Sequence, residues 1–164
     1  MSKLGRYSAD RKKIETLDTD KTVTVADCGT IFILNSGSDA ISGRSGQYTV
    51  TLPALNDAGN GWWCKFVLAQ TSGGDVAISG SSSDTTPLNV HIAAVASGSD
   101  AGAGDGTAHA GGKGNGQAPL ASAKHATFDV SACAVNDTLE LVTNGSAWYG
   151  QAIVSGGAAI TDSI

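Results

Sequence analysis

The chain has 164 residues, enough for one domain with a core of its own. With 22 glycines, only 15% charged residues and an abundance of Ser, Thr and Val, it excludes a helix-rich domain and suits strands and tight turns. The formal net charge of -5 excludes a body that draws nucleic acid or anionic membrane to itself by bulk attraction, and no apolar run is long enough to span a bilayer as a helix.

In chain order, residues 1–13 hold Lys3, Arg6, Arg11, Lys12 and Lys13 against Asp10, a net +4, while the rest of the chain carries -9. This predicts a basic N-terminal arm over residues 1–20 on an acidic β domain over 21–164. Ser8 is placed to cap a short helix over residues 9–17, with Ile14 and Leu17 on one side. From Lys21 the period becomes two, with Val23 and Val25 facing one way and Thr22 and Thr24 the other. Asp27 to Thr30 is a break, and Ile31 to Leu34 is apolar on both faces, as for a central or interface strand. A Ser, Gly and Asp loop over 35–46 leads to an alternating run over 48–52, which Pro53 ends. Turn chemistry over 56–61 precedes a strand over 62–68. Trp62, Cys64, Phe66 and Leu68 share one face of it, and Trp63, Lys65 and Val67 the other.

Further strands are expected around Val76 and Ile78 and over 88–92. Residues 96–118 mix eight glycines with Ala, Ser and Asp and contain no branched aliphatic residue. They read as a long Gly-rich loop that cannot repay its own ordering entropy. A strand over 126–130 follows, and then 138–143 runs into Asn144-Gly145 and out along 146–150, the pattern of a hairpin with a primed turn. Residues 158–161 make a last short strand. The expected fold is all-β: a single-domain antiparallel β-sandwich or barrel of jelly-roll or β-tulip type, with the arm and the Gly-rich loop attached. Its filling is thin, at 10 Leu, 9 Ile, 11 Val and 3 Phe, so burial between copies of the chain, a homo-oligomer, is expected.

The chain offers little for catalysis. His91, His109 and His125 are not at ligand spacing, so no metal site is expected. Cys28, Cys64 and Cys133 are odd in number; the polar start carries no secretory leader, which predicts free, buried thiols formed in a reducing cytoplasm. Gly102, Gly104 and Gly106 neither follow a strand nor open a helix, and Lys113 lacks a following Ser or Thr, so they do not form a phosphate loop. Glu15 with Asp18 and Asp20, or Asp100 with Asp105, lacks the closing Glu of a calcium loop. No catalytic residue and no cofactor is therefore expected. Trp62, Trp63, Trp148 and Tyr149 are candidates for an oligomer or receptor interface, although a strand puts neighbours on opposite faces, so one of the first pair belongs to the core. Lys3, Arg6, Tyr7, Arg11, Lys12 and Lys13 are candidates for docking on a protein partner, by adding a strand to an open sheet edge. Tyr7 alone gives no aromatic interleaving, which argues against nucleic acid.

The opening Met-Ser-Lys-Leu-Gly-Arg-Tyr-Ser-Ala-Asp-Arg-Lys-Lys, with Leu17 and Thr22-Val23-Thr24-Val25, resembles marine and cyanobacterial phage structural proteins. So do Asp57-Ala58-Gly59-Asn60-Gly61-Trp62-Trp63-Cys64-Lys65-Phe66 and Asn144-Gly145-Ser146-Ala147-Trp148-Tyr149-Gly150. The resemblance implies a capsid decoration (cement) protein, head knob or fibre part: β-rich, often trimeric and non-enzymatic. It implies the major capsid protein as partner, the capsid exterior as location, and no nucleic acid or membrane. A receptor-binding or fibre module that takes a host glycan is the alternative. The Gly-rich loop lies outside the resemblance.

Overall fold

The computed structural model describes residues 12–35, 46–86, 88–94, 120–155 and 159–161. They form β1 (Lys13–Leu17), β2 (Lys21–Thr22), β3 (Thr30–Leu34), β4 (Tyr48–Thr51), β5 (Asn60–Leu68), β6 (Val76–Ser79), β7 (Leu88–Ala94), β8 (Leu120–Ala123), β9 (His125–Phe128), β10 (Thr138–Asn144), β11 (Trp148–Val154) and β12 (Ile160–Thr161). A 3-10 turn (Val25–Asp27) and a one-turn helix α1 (Leu55–Ala58) complete the described elements. A seven-stranded sheet runs β1-β3-β5-β10-β11-β7-β8, and a five-stranded sheet runs β12-β9-β6-β4-β2.

The fold is all-β, but the sheets are mixed rather than antiparallel. The cause is the path of the chain. Through β7 each successive strand lies in the other sheet. A chain that crosses and returns lays its next strand beside the last one in the same direction. Hence β1, β3 and β5 run parallel, as do β2, β4 and β6. Antiparallel pairing is confined to β5 with β10, β10 with β11, β7 with β8, and β9 with β6 and β12 among the described residues.

Alternation fixes what lies between the sheets. On β5, Trp62, Cys64, Phe66 and Leu68 are buried, and Trp63, Lys65 and Val67 are half-buried on the other side, as the sequence predicts. They meet Phe32 and Leu34 of β3, Leu139 and Leu141 of β10, and Val50, Ile78 and Phe128 of the smaller sheet in one apolar cluster. Phe32 and Phe66, partners in register, stack at 5.3 Å between ring centroids. Close packing also explains Gly150, which sits in register between Leu141 and Val90. A Cβ there would lie 2.6 Å from the Leu141 side chain.

Three local expectations are corrected. Residues 13–17 are a strand, not the end of a helix. A helix of about nine residues is marginal by itself, whereas β1 pairs with β3 along its whole length and buries Leu17, whose carbonyl accepts the Tyr48 hydroxyl at 3.2 Å. The Thr22–Val25 alternation also stops early. Thr24 donates its N–H and its hydroxyl to Asp27 Oδ2, each at 2.9 Å, which turns the chain after β2 and leaves Val23 buried but Val25 exposed. At the hairpin, the ladder closes at Thr143 and Trp148, so four residues form the loop rather than two. Asn144 does not take the positive φ a type I′ turn needs; only Gly145 does, at 83°. The Asn144 side chain instead accepts the N–H groups of Ser146 and Ala147, both at 2.9 Å.

Candidate functional site

The outer face of the seven-stranded sheet carries the most distinctive surface among the described residues. One row across it reads Ile31, Lys65, Glu140, Gln151 and His91 in register. The row on one side reads Ile33, Val67, Thr138, Ile153 and Ala93. The row on the other reads Trp63, Val142, Tyr149 and Asn89. A solvated sheet face normally alternates polar-out against apolar-in. Here Ile153, Tyr149 and Val142 are 51%, 46% and 44% exposed, and Ile14 on the edge strand is 64% exposed. On the outer side of the five-stranded sheet Thr49 and Thr51 of β4 are half-buried, and Ala77 of β6 and Thr127 of β9 are buried. That face is covered at its centre, whereas the outer face of the larger sheet is open and sets large apolar side chains on either side of a polar central row.

The basic chain reaches this face at its rim. Lys12 is exposed, with its Nζ 5.1 Å from the centroid of the Trp63 ring. Trp63 also lies along Gly29, whose N–H donates to the Trp63 carbonyl at 2.8 Å. Lys13 pairs with the Asp27 carboxylate. Burial alone would raise the pKa of Asp27, but Lys13 and the two Thr24 donors outweigh it and pull the carboxyl down to about 2. Lys21 is tied to Glu15 at 2.7 Å. Of the arm residues expected to dock, Lys12 and Lys13 are thus bound back onto the domain, and Lys3, Arg6, Tyr7 and Arg11 lie outside the described residues, as do His109 and the Gly-rich loop at 96–118.

The four candidate aromatics divide two and two. Trp62 and Trp148 are buried and meet edge to face at 5.4 Å, and Trp62 Nε1 donates to the Val25 carbonyl at 2.9 Å. They fill the protomer core and leave the surface to Trp63 and Tyr149. The reason is parity: Trp62 and Trp148 fall on the inward register of β5 and β11. Sequence reasoning missed Val142, Ile153 and Ile14. The signal was present, because the 138–143 run puts Leu139, Leu141 and Thr143 inward and so forces Val142 outward.

Among the described residues, Cys64, Cys133 and several acids are engaged in packing or in backbone hydrogen bonds. Burial pushes the Cys64 and Cys133 thiols well above their ordinary range, which disfavours the thiolate a nucleophile needs. Cys133 Sγ donates to the Ala159 carbonyl at 3.0 Å. Cys28 is exposed, against the expectation of buried thiols, because it follows the 3-10 turn at the sheet rim. Several acids hold backbone donors: Asp20 takes Thr49 N–H at 2.7 Å, Asp75 takes Val130 N–H at 3.0 Å, and Asp137 takes those of Ala134 and Ser155 at 3.0 and 2.9 Å. No three His, Cys, Asp or Glu side chains cluster to hold a metal among the described residues. No helix among them is long and apolar enough to cross a membrane. A cleft of about 930 Å³ opens at the end of β4, β6 and β9, lined by Thr51, Ser79, Ser81, Asp84, Lys124 and His125 among others. No protein-family model, curated protein or solved structure matches this chain.

Proposed function

We propose that the protein is a non-enzymatic structural component of a phage virion, one that decorates the capsid and stabilises it by binding between shell subunits. The observation that carries this reading is the junction of a basic chain start with an apolar sheet face: Lys12 lies on Trp63 at the rim of the surface that exposes Val142, Tyr149 and Ile153. Such a surface suits burial against a neighbouring protein chain, a second copy included, and the basic sequence that precedes β1 suits an acidic shell. The sequence resemblance supports the same reading. The test is co-sedimentation with phage shells. Because β1 begins at Lys13, the truncation should remove residues 1–11 and no more. The truncated chain is expected to keep its fold and lose shell binding, and full occupancy by it would overturn the reading.

The hydroxyl-lined cleft favours a second reading, a receptor-binding or fibre module. Thr51, Ser79 and Ser81 line it with hydroxyls beside Lys124 and Asp84, whose carboxylate also accepts the Leu55 N–H at 3.1 Å, polar groups of the kind that orient a sugar's hydroxyls. A glycan array with Asp84→Ala and Lys124→Ala would separate the two, since shell binding should ignore both changes.

A further inference from the structure

We infer that two copies of this chain pack face to face through the outer side of the seven-stranded sheet, in an isologous pair. The inference rests on the assembly reading above and names its surface and symmetry: two-fold in place of the three-fold assembly that the sequence resemblance implies.

Three observations point to a second copy as the occupant. The first is charge. Lys65 and Glu140 are register partners on β5 and β10, the third and fourth strands of the seven. They are the two charged side chains in the three central rows, apart from His91 at one end. Neither enters an ion pair among the described residues. A two-fold axis running along the strands midway between β5 and β10 sets each Lys65 over the partner's Glu140, and each Glu140 over the partner's Lys65. One opposite pair at the middle of the face, between two largely apolar rows, is thus complementary to itself. A partner of uniform charge would leave one of the two unmatched at the centre of the contact, where unpaired charge costs most.

The second observation is size. About that axis six of the seven strands overlap, and at about 4.8 Å spacing with some 20 Å of strand length they present roughly 580 Å². A standard stable interface needs about 800 Å² from each partner. The face supplies most of that by itself. The third is the contrast between the two outer faces. On the smaller sheet Ala77 and Thr127 are already buried on the outer side, whereas the larger sheet leaves Ile153, Tyr149 and Val142 exposed. Apolar side chains gathered on one open face mark an interaction surface. Two sheets packed face to face bury such side chains in a layer about 10 Å thick, as sandwiches do internally.

The test is sedimentation equilibrium of the full chain at tens of micromolar. Twice the monomer mass is expected. Lys65→Glu and Glu140→Lys should each weaken the pair at least tenfold, because each variant sets like charges against each other. An equimolar mixture of the two should restore pairing as a heterodimer, since the glutamate introduced in one copy then meets the lysine introduced in the other. That recovery also guards against misfolding, as does a cooperative thermal melt of Val142→Glu with Ile153→Glu, which should be monomeric and melt independently of protein concentration. A wild-type monomer or trimer, or charge variants that pair as the wild type does, would overturn the inference. Shell co-sedimentation separates the two claims: a monomer that still binds shells removes this pair alone, and a dimer that ignores shells removes only the virion reading.

Discussion

Asp27 joins the basic chain start to the domain, and its chemistry sets a pH signature. Its carboxyl sits at about 2 against an ordinary value near 3.8, held by Lys13 and by the Thr24 N–H and hydroxyl. A depressed folded-state value means that the stabilisation is full above pH 4 and is lost as pH falls toward 2. Lys13 is half exposed, so solvent and salt reduce the effect, and the loss should be about 1–2 kcal/mol. Urea unfolding across that range should show it in the wild type and not in Asp27→Asn. Gly150 makes a steric prediction. With the Leu141 side chain 2.6 Å and the Val90 side chain 3.2 Å from an added methyl, Gly150→Ala should cost roughly 1–3 kcal/mol by overpacking. Leu141→Ala in the same chain should recover part of that loss by making room, read as a partial return of the unfolding midpoint.

At the scale of the element, β1 decides where the arm ends. Removal of residues 1–11 leaves its ladder with β3 whole. Removal of residues 1–17 takes away buried Leu17 and the carbonyl that accepts the Tyr48 hydroxyl. The longer truncation should lower stability by roughly 2–4 kcal/mol in urea unfolding, where the shorter one should not. Strand positions were largely legible, because alternation on 48–51, 62–68 and 138–143 reports directly which side chains turn inward. The end of β2 was less legible, since Thr24 and Asp27 form a turn only when the Asp side chain reaches back to it. β8, Leu-Ala-Ser-Ala, carries almost no pattern and exists through its pairing with β7. Strand direction was not legible at all: the same alternating pattern serves a hairpin and a chain that changes sheets at each step as far as β7. The interface candidates split for a related reason, because aromatic composition does not reveal parity, and parity sent Trp62 and Trp148 inward but Trp63 and Tyr149 outward.

At the scale of the whole molecule, the chain covers the outer side of its smaller sheet, where Ala77 and Thr127 are buried, and leaves the outer side of the larger one open, which gives it a direction. Pairing through the open side would remove Val142, Tyr149 and Ile153 from the surface, as a particle coat that must stay dispersed requires. The order of strands carries a further consequence, for biosynthesis. β10 and β11 lie between β5 and β7, so the middle of the larger sheet is the part a ribosome delivers almost last. Until residue 154 emerges, β5 and β7 each face a missing neighbour, and most of the nascent polypeptide waits for a single late hairpin to bridge them. A release-arrested chain that stops before residue 138 should therefore be captured by holdase chaperones, and a synthetic peptide spanning 138–154, supplied in trans, should set it free.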